Sequence, residues 1–367
     1  MPNLRTRMMK VHILKKIDNY LGRILCIHFL HKPLRAISPG SVVNSILIIR
    51  PGGIGDAVLL IPAIMALKKK YPRVSITVLA EKRNASVFSM CGQINRVLEY
   101  EKPMELLAAI KGEYDAVIDT EQWHRMSVIV ATMTRTQTTI GFDTNERKRL
   151  LTYPIPYSHD DYEMESFFRL FKPLGIAKEE IVAPFINIPE SVMAKAESLL
   201  GGFVARPFVA IFPGSTISEK QWDLNKFEKL ALQLEQSGIP IIVIGGRKER
   251  AAGDAIIHGV DSLNLAGVTS LVETAAIINS ASVLVSGDSG VLHLATALGC
   301  STVSLFGSSN AQKWAPMGER HIVISKKLPC SPCSKFGDTP QCRFNTRCMA
   351  EIDIEEVAVA IRKLLLG

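Results

Sequence analysis

Three segments of the sequence carry glycines, hydroxyls and charged side chains in patterns that could bind or activate a substrate. The first is Arg50-Pro-Gly-Gly-Ile-Gly-Asp56. Gly52, Gly53 and Gly55 would let a ligand approach the backbone closely, but their spacing matches neither the dinucleotide fingerprint nor the ATPase phosphate loop. Asp56 either caps the helix that follows or acts as a general base that takes a proton from an attacking hydroxyl.

The second segment, 212–222, places small hydroxyls before a lysine at the end of a predicted strand. Ser215 and Thr216 can donate hydrogen bonds to a phosphate, and Lys220 can supply positive charge. The alternative is an ordinary turn in which Lys220 is solvated and Trp222 packs against the body of the protein. The pattern indicates a phosphate site, although its spacing is not specific for one.

The third segment, 285–293, runs from a predicted strand through Gly287-Asp-Ser-Gly290 directly into a helix. The backbone N–H groups of Ser289 and Gly290 at the helix start, together with the helix dipole, would cradle an anion such as a pyrophosphate. Asp288 is a candidate cap of the same helix, so the N–H groups of Ser289 and Gly290 matter more for the anion than its carboxylate. His293, one turn further on, either faces the ligand or is a satisfied buried histidine.

Glu249 follows Gly245-Gly246 at the end of another predicted strand. In nucleotide sites an acidic residue at this edge of the sheet accepts the ribose hydroxyls, which makes Glu249 a candidate for that role. A solvent-exposed charged turn is the alternative.

Four of the seven cysteines fall within a short span, namely Cys330, Cys333, Cys342 and Cys348. The first pair has the Cys-x2-Cys spacing of structural zinc sites, whereas the wider spacing of the second pair argues against zinc. Disulfides are disfavoured in a reducing compartment. Structural zinc, free thiols and a redox pair therefore stay open.

The elements that would position these segments alternate between short β-branched strands and helices. This alternation predicts parallel sheets built from strand–helix–strand units, whose ligands bind at the carboxyl ends of the strands. The predicted strands are 45–50, 74–79, 116–119, 208–212, 239–244, 283–286 and 301–306, and the predicted helices are 57–70, 167–174, 224–236, 271–278, 291–298 and 352–366.

Two α/β domains of similar size follow from this pattern, joined by the proline-bounded stretch 183–189, with the ligand expected in the cleft between them. Residues 143–165 are polar and aromatic with two prolines, and are predicted to be loop. The predicted divisions are an N-terminal extension (1–44), an N-terminal domain (45–185), a C-terminal domain (186–350) and a C-terminal helix (351–367).

The composition is that of a globular protein: 367 residues, 47% hydrophobic and 21% charged, which excludes wholesale disorder, collagen and disulfide scaffolds. No apolar stretch near the N-terminus is long enough to span a bilayer and no secretory signal is visible, so the cytoplasm is expected. Much of the formal charge of +8 lies in the first 45 residues, which hold eight basic residues against Asp18 alone. The nearly neutral remainder argues against nucleic-acid binding.

The basic extension is predicted to form one amphipathic helix over 8–30, with Leu21 and Ile24 on an apolar stripe and Asp18 on the polar side. Such a helix can lie in the headgroup layer of an anionic membrane. Docking on the protein's own body or on a partner is the alternative, although a docked helix would not need so one-sided a charge.

Together the segments 46–63 (ILIIRPGGIGDAVLLIPA), 213–222 (PGSTISEKQW) and 286–299 (SGDSGVLHLATALG) resemble those of glycosyltransferase family 9, the lipopolysaccharide heptosyltransferases. The resemblance runs in order from about Ser45 to the C-terminus. It implies an α/β GT-B fold of two facing Rossmann-like parallel-sheet domains, with the acceptor on the N-terminal domain and an ADP-sugar on the C-terminal one. The implied reaction is inverting transfer of a heptose from ADP-heptose to the inner core of lipopolysaccharide.

The resemblance also implies roles for individual residues. Asp56 is the general base, and Gly52, Gly53 and Gly55 belong to the acceptor-side loop. The nucleotide-sugar side consists of Ser215, Thr216, Lys220, Asp288, Ser289, Gly290 and His293, with Glu249 at the place of a ribose-binding acid in a segment more basic than the family pattern. No metal or other cofactor is required, because Lys220 and the helix start would take the place of a metal at the leaving ADP.

The implied partners are the nucleotide-sugar donor, the lipid-linked lipopolysaccharide core and, through the N-terminal helix, the anionic inner face of the cytoplasmic membrane. Three alternatives stay open. One is a glycosyltransferase that uses another nucleotide sugar and another envelope glycan. The second is a non-hydrolytic nucleotide-sugar enzyme such as an epimerase, and the third is a non-catalytic nucleotide-sugar-binding envelope protein.

Overall fold

The computed structural model describes residues 18–28, 35–36, 42–179, 182–335 and 338–366. By their contacts these residues form two compact units. The first unit takes its described residues from Met1–Gly53, Leu60–Ser158 and Met164–Glu180, and the second takes them from Ile54–Leu59, His159–Glu163 and Ile181–Gly367.

The first unit is built on a six-stranded parallel sheet in the order β3-β2-β1-β4-β5-β6. Its strands are β1 (Ser45–Arg50), β2 (Ser75–Ala80), β3 (Arg96–Glu99), β4 (Ala116–Asp119), β5 (Thr139–Phe142) and β6 (Tyr153–Ile155). The α-helices in this part of the chain are α1 (Arg23–His28), α2 (Ile54–Lys70), α3 (Ala85–Ser89), α4 (Pro103–Lys111), α5 (Met126–Met133) and α6 (Glu163–Phe171).

The second unit contains another six-stranded parallel sheet, in the order β12-β11-β10-β7-β8-β9. Its strands are β7 (Val209–Phe212), β8 (Ile241–Val243), β9 (Leu263–Asn264), β10 (Val283–Gly287), β11 (Ser301–Phe306) and β12 (His321–Ser325). Its further helices are α7 (Glu190–Leu200), α8 (Leu224–Gln236), α9 (Arg250–Ile256), α10 (Leu271–Ser280), α11 (Gly290–Ala297), α12 (Ala311–Trp314), α13 (Arg347–Ala350) and α14 (Ile354–Leu366).

The predicted class of two parallel-sheet α/β units is confirmed. The strands β1, β4 and β11 and the helix α8 begin and end at the predicted residues. The central strands β1, β4 and β10 are apolar and almost fully buried, as expected of strands that are covered on both faces. Their carboxyl ends are therefore the places where the chain can turn polar side chains toward a ligand.

The prediction that residues 143–165 form a loop is wrong. The stretch contains a 3₁₀-helix (Glu146–Leu150), the strand β6 and the beginning of α6. β6 lies at the edge of its sheet, where Pro154 can be accommodated because an edge strand leaves part of its backbone unpaired. The proline made this strand look like loop.

The structure describes only residues 18–28 of the helix predicted over 8–30, and the rest of that prediction lies outside the described residues. Residues 18–28 form one π-helical turn, Asp18–Gly22, followed by α1. The prediction that Asp18 lies on the polar, outward side is wrong. Its carboxylate is buried and accepts hydrogen bonds from the backbone N–H groups of Arg125 (2.7 Å) and Met126 (2.9 Å) at the start of α5.

The apolar side chains of this segment divide between two faces. Cys26 is buried in a cluster with Val128, Ile129 and other residues of the first unit, whereas Leu21 and Ile24 of the predicted stripe are 47% and 55% exposed. The segment thus docks on its own unit through one face and keeps apolar side chains on another. Every helix within the described ranges is too short or too polar to cross a lipid bilayer.

Candidate functional site

The second and third chemical segments meet at the carboxyl ends of β7 and β10, which are neighbours in the second sheet. Nζ of Lys220 lies 2.6 Å from a carboxylate oxygen of Asp288, and the two side chains are only 17% and 11% exposed. Burial raises the pKa of Asp288, but the charge and hydrogen bond of Lys220 bring it below its ordinary value. Asp288 is therefore ionised, and Lys220, with three N–H donors, can contact an anion as well.

The N-cap of α11 is Ser289, so the prediction that Asp288 caps this helix is wrong. The Ser289 hydroxyl accepts a hydrogen bond from the backbone N–H of Leu292 (3.2 Å) and lies 2.8 Å from the hydroxyl of Ser286. The first turn of α11 begins immediately beside the Lys220–Asp288 pair. Backbone N–H groups at a helix start and a nearby ammonium are the usual components of a phosphate site.

Asp56 lies in the first turn of α2, whose N-cap is Gly53. The interpretation of Asp56 as the cap is therefore wrong. Asp56 is half-buried and belongs, with the rest of Ile54–Leu59, to the second unit. The same unit contains Lys220, Asp288 and α11, so the chain groups the candidate base with the candidate phosphate site.

Close packing between glycines and side chains fixes this arrangement. A Cβ atom at Gly55 would lie 2.5 Å from Cδ2 of His293, and one at Gly290 would lie 2.6 Å from Cβ of Ile54. Real Cβ atoms do not approach other atoms so closely, so both positions require glycine. The first turn of α2 and the first turn of α11 are thereby in direct contact within the second unit.

His293 is 3% exposed. Burial lowers the pKa of its imidazole, and the nearby carboxylates of Asp288 and Asp56 oppose that shift only in part. The ring is therefore neutral near pH 7. Its edge also contacts Trp314, at a centroid distance of 6.3 Å. His293 is thus a buried histidine that also lies within electrostatic reach of both candidate carboxylates.

In the first unit the glycine-rich turn after β1 is supported by a buried arginine. Arg50 donates hydrogen bonds to the backbone oxygens of Pro51 (2.6 Å) and Thr120 (2.8 Å), and it lies 3.6 Å from the carboxylate of Glu121. Gly52 has a positive φ of 113°, and a Cβ there would lie 2.8 Å from the Arg50 guanidinium. Arg50 thus ties the turn, through the Pro51 carbonyl, to the end of β4, through the Thr120 carbonyl, a role that sequence reasoning missed.

The other residues predicted to bind the nucleotide sugar, Ser215, Thr216 and Glu249, lie in the loops that follow β7 and β8. The Ser215 hydroxyl accepts a hydrogen bond from the backbone N–H of Ile217 (3.1 Å), and Thr216 is exposed. Glu249 accepts a hydrogen bond from the N–H of Gly246 (2.8 Å). It lines a cavity of about 390 Å³, whose other lining residues include Pro213, Gly214, Ser218, Gln221, Trp222 and Lys248. The cavity has the volume for a nucleoside-sized group.

Two further hydroxyls near this site escaped the sequence analysis. Ser308 and Ser309 follow β11, the strand next to β10, and are 2% and 5% exposed. Ser309 lies beside Asp288 and contributes to the lowering of its pKa. The signal that singled out Ser215 and Thr216, small hydroxyls after a buried strand, is also present here and could have found them.

The four clustered cysteines are free thiols. The sulfur of Cys342 accepts hydrogen bonds from the backbone N–H groups of Phe344 (3.4 Å) and Thr346 (3.3 Å), and Cys348 is buried. Across the part of the chain that the structure describes, no three His, Cys, Asp or Glu side chains are arranged to hold a metal ion. The structural-zinc interpretation stays a prediction.

Comparison with known proteins gives a consistent assignment. Residues 104–343 match the family model of glycosyltransferase family 9 (heptosyltransferase). Lipopolysaccharide heptosyltransferase 3 of Escherichia coli K12 is 26% identical over 333 residues, covering 85% of this chain and 95% of that protein.

Two solved structures of similar fold are matched over nearly their whole length. The E. coli ADP-heptose lps heptosyltransferase II has a TM-score of 0.73 at 21% identity, over 88% of this chain and 98% of that one. The E. coli heptosyltransferase WaaC with ADP has a TM-score of 0.69 at 19% identity, over 87% and 99%. These likenesses confirm the predicted fold. Since the family model covers well over half of the sequence, the chain belongs to glycosyltransferase family 9 and is a glycosyltransferase.

Proposed function

We propose that this glycosyltransferase moves a heptose, with inversion, from ADP-heptose to the core of lipopolysaccharide. The observation that carries the proposal is the grouping of Asp56 in one unit with the Lys220–Asp288 pair and the start of α11. An alcohol nucleophile needs a general base such as Asp56. A diphosphate leaving group needs the positive charge of Lys220 and the N–H groups at the start of α11. The choice of donor and acceptor is supported by the names of the relatives, which include a lipopolysaccharide heptosyltransferase and a heptosyltransferase with ADP.

The proposed reaction is a single displacement. Asp56 takes the proton of the acceptor hydroxyl while the hydroxyl oxygen bonds to the anomeric carbon. The bond from that carbon to the β-phosphate oxygen breaks on the opposite face, so the configuration inverts and ADP leaves with the electron pair. The ammonium of Lys220 and the N–H groups at the start of α11 stabilise the charge that develops on ADP.

Packing supports the role given to Asp56. The contact between Gly55 and His293 fixes the first turn of α2 against α11. Asp56, one residue further along that turn, is thereby held at a set place relative to the residues proposed for the diphosphate. A general base works only within hydrogen-bonding reach of the proton that it removes, so this rigidity favours catalysis.

Calorimetry with a panel of ADP-, UDP- and GDP-sugars tests the donor. We expect ADP-heptose to bind and the uridine and guanosine sugars to bind far more weakly. Lys220→Met should lower the affinity for ADP-heptose by roughly ten- to a hundredfold, because it removes a charge-assisted hydrogen bond. The control is Lys229→Met, which removes an exposed lysine of α8. Preference for a UDP- or GDP-sugar would contradict the proposed donor.

The lipid-linked acceptor places the proposed reaction at the inner face of the cytoplasmic membrane. Support comes from the N-terminal segment, where Tyr20, Leu21, Ile24 and Ile27 are 77%, 47%, 55% and 37% exposed. The first 45 residues also hold eight basic side chains. Exposed apolar side chains within a basic segment favour binding to anionic headgroups.

Flotation of the full chain with liposomes tests this attachment. The double variant Leu21→Gln/Ile24→Gln should float less than the native chain with phosphatidylglycerol liposomes. The control Met317→Gln/Val359→Gln changes side chains that are 60% and 51% exposed elsewhere, and it should float like the native chain. Equal flotation of all three proteins would refute attachment through this segment.

A further inference from the structure

Two neighbouring hydroxyls next to the proposed donor site are buried without a well-formed hydrogen bond. Ser308 and Ser309 are 2% and 5% exposed, and neither Oγ meets hydrogen-bond geometry with any of the described residues, although the Ser309 hydroxyl faces the Asp288 carboxylate. Buried side-chain hydroxyls are nearly always bonded to protein, to ordered water or to a ligand. Two consecutive exceptions at the end of one strand therefore call for an occupant that supplies acceptor atoms.

The position of the two serines indicates which occupant. In the second sheet β11 runs parallel to β10, with Leu305 opposite Gly287. The chain after Leu305 therefore leaves the sheet beside the chain after Gly287, which contains Asp288. Ser309 is near enough to the Asp288 carboxyl to help lower its pKa. The hydroxyls thus lie at the same edge as Lys220 and the start of α11.

The loop that carries the serines is held rigidly from outside. The backbone oxygen of Ser308 accepts hydrogen bonds from the N–H groups of Cys333 and Ser334, both at 2.9 Å, and the Ser331 hydroxyl donates to the backbone oxygen of Gly307. A Cβ atom at Gly307 would lie 2.6 Å from Sδ of Met349. The carbonyls of Gly307 and Ser308 are thus bonded and fixed while the two hydroxyls lack well-formed hydrogen bonds, which is the arrangement of a preorganised binding site.

We propose that Ser308 and Ser309 donate hydrogen bonds to the diphosphate of the nucleotide-sugar donor. Phosphate oxygens are strong acceptors that can take several donors at once. Lys220 compensates the charge of the Asp288 carboxylate, so that carboxylate does not exclude a phosphate from this edge. This inference rests on the proposed function, because it extends the site that would hold ADP.

Binding of adenosine, AMP and ADP to the full chain tests the inference by calorimetry. Ser308→Ala and Ser309→Ala should each lower the affinity for ADP by about tenfold, the effect of losing one hydrogen bond to a charged group. Adenosine should bind the variants as it binds the native chain. The matched control is Ser304→Ala on β11, whose buried hydroxyl donates to the backbone oxygen of Ile322 (3.3 Å). This control should leave the ratio of ADP to adenosine affinity unchanged.

The melting temperature without ligand provides a second readout. If the hydroxyls are unpaired until a phosphate binds, each alanine substitution removes an unsatisfied polar group from the ligand-free protein. Its Tm should then stay the same or rise. A fall of several degrees would mean that they hold a structural water, and native ADP affinity in both variants would equally overturn the inference. A native chain that binds no ADP would instead contradict the proposed donor, so the two failures are distinguishable.

Discussion

Gly55 is the residue whose close contact links the candidate base to the candidate phosphate site. A Cβ atom at this position would lie 2.5 Å from Cδ2 of His293, a ring that is itself 3% exposed and has little room to move. The contact joins the turn that carries Asp56 to the helix that begins beside the Lys220–Asp288 pair. A substitution here should therefore affect both stability and activity.

Gly55→Ala should lower the free energy of unfolding by about 1–3 kcal/mol, as overpacking usually does, and should reduce sugar transfer because Asp56 is displaced. Gly92→Ala is the matched control, since a Cβ there would meet no atom within 4 Å. Urea denaturation and an ADP-release assay measure the two effects. Native stability and native turnover in the Gly55 variant would show that the contact with His293 can relax without consequence for the site.

Sequence reasoning at this scale found the residue types but not their pairings. It selected Lys220 and Asp288, which are 68 residues apart. It assigned Asp288 to the cap of α11 instead of to the ion pair with Lys220. The cap is Ser289, because its hydroxyl reaches the N–H of Leu292 while the Asp288 carboxylate is held by Lys220. Whether Asp288 or Ser289 caps the helix depends on Lys220, which follows a different strand. The local sequence around the helix start does not show this contact.

The N-terminal segment is attached to the first unit through the start of α5. The Asp18 carboxylate accepts the N–H groups of Arg125 and Met126. Burial opposes ionisation of Asp18, but the His124 imidazole, 3.6 Å from the carboxylate, and the hydrogen bonds from these two N–H groups lower its pKa below the ordinary value. Asp18 thus supplies to α5 the cap that its own sequence lacks, since the N-cap Arg125 has no capping side chain.

Asp18→Ala should lower the free energy of unfolding by about 1–2 kcal/mol, the usual effect of losing a charged helix cap. Urea denaturation at pH 7 measures it. Tyr20→Ala, in the same turn but 77% exposed, should change stability by less than about 0.5 kcal/mol. Equal effects of the two substitutions would mean that the segment contributes through general packing rather than through the carboxylate.

Elements with a strong apolar pattern were predicted well, and short elements at sheet edges were not. The buried strands β1, β4 and β11 match their predicted bounds, whereas the edge strands β3, β6, β9 and β12 and the four-residue internal strand β5 were missed. Edge strands are half-exposed and need no continuous hydrophobic run. The amphipathic α8 was also predicted to the residue, because its capping Asp223 and its apolar spacing agree.

Three histidines of the second unit, one buried and two partly buried, should make the stability of the whole molecule depend on pH. Burial, together with the nearby Arg320, lowers the pKa of His321 to about 4, and burial also lowers the pKa values of His293 and His159. The folded protein therefore holds these rings neutral, while the unfolded chain takes up protons near pH 6.5. The stabilisation is complete above that pH and is lost progressively as the pH falls toward 4.

Chemical denaturation at pH 7 and pH 5 measures this dependence. The native chain should lose stability over that interval, and His321→Asn should lose less, by on the order of 1–2 kcal/mol. His258→Asn, which changes an exposed ring, should follow the native chain. Identical pH profiles for the native chain and the His321 variant would contradict the partly buried, neutral state of this ring.

The most direct test of the central claim compares transfer and binding in one variant. With ADP-heptose as donor and a lipopolysaccharide core acceptor, Asp56→Asn should lower kcat/KM by about a thousandfold, the contribution of a general base. Its affinity for ADP should stay within about twofold, while Glu190→Gln, which changes an exposed acidic residue in the first turn of α7, should leave both quantities unchanged. Transfer at the native rate by the Asp56 variant, with ADP still bound, would contradict the account.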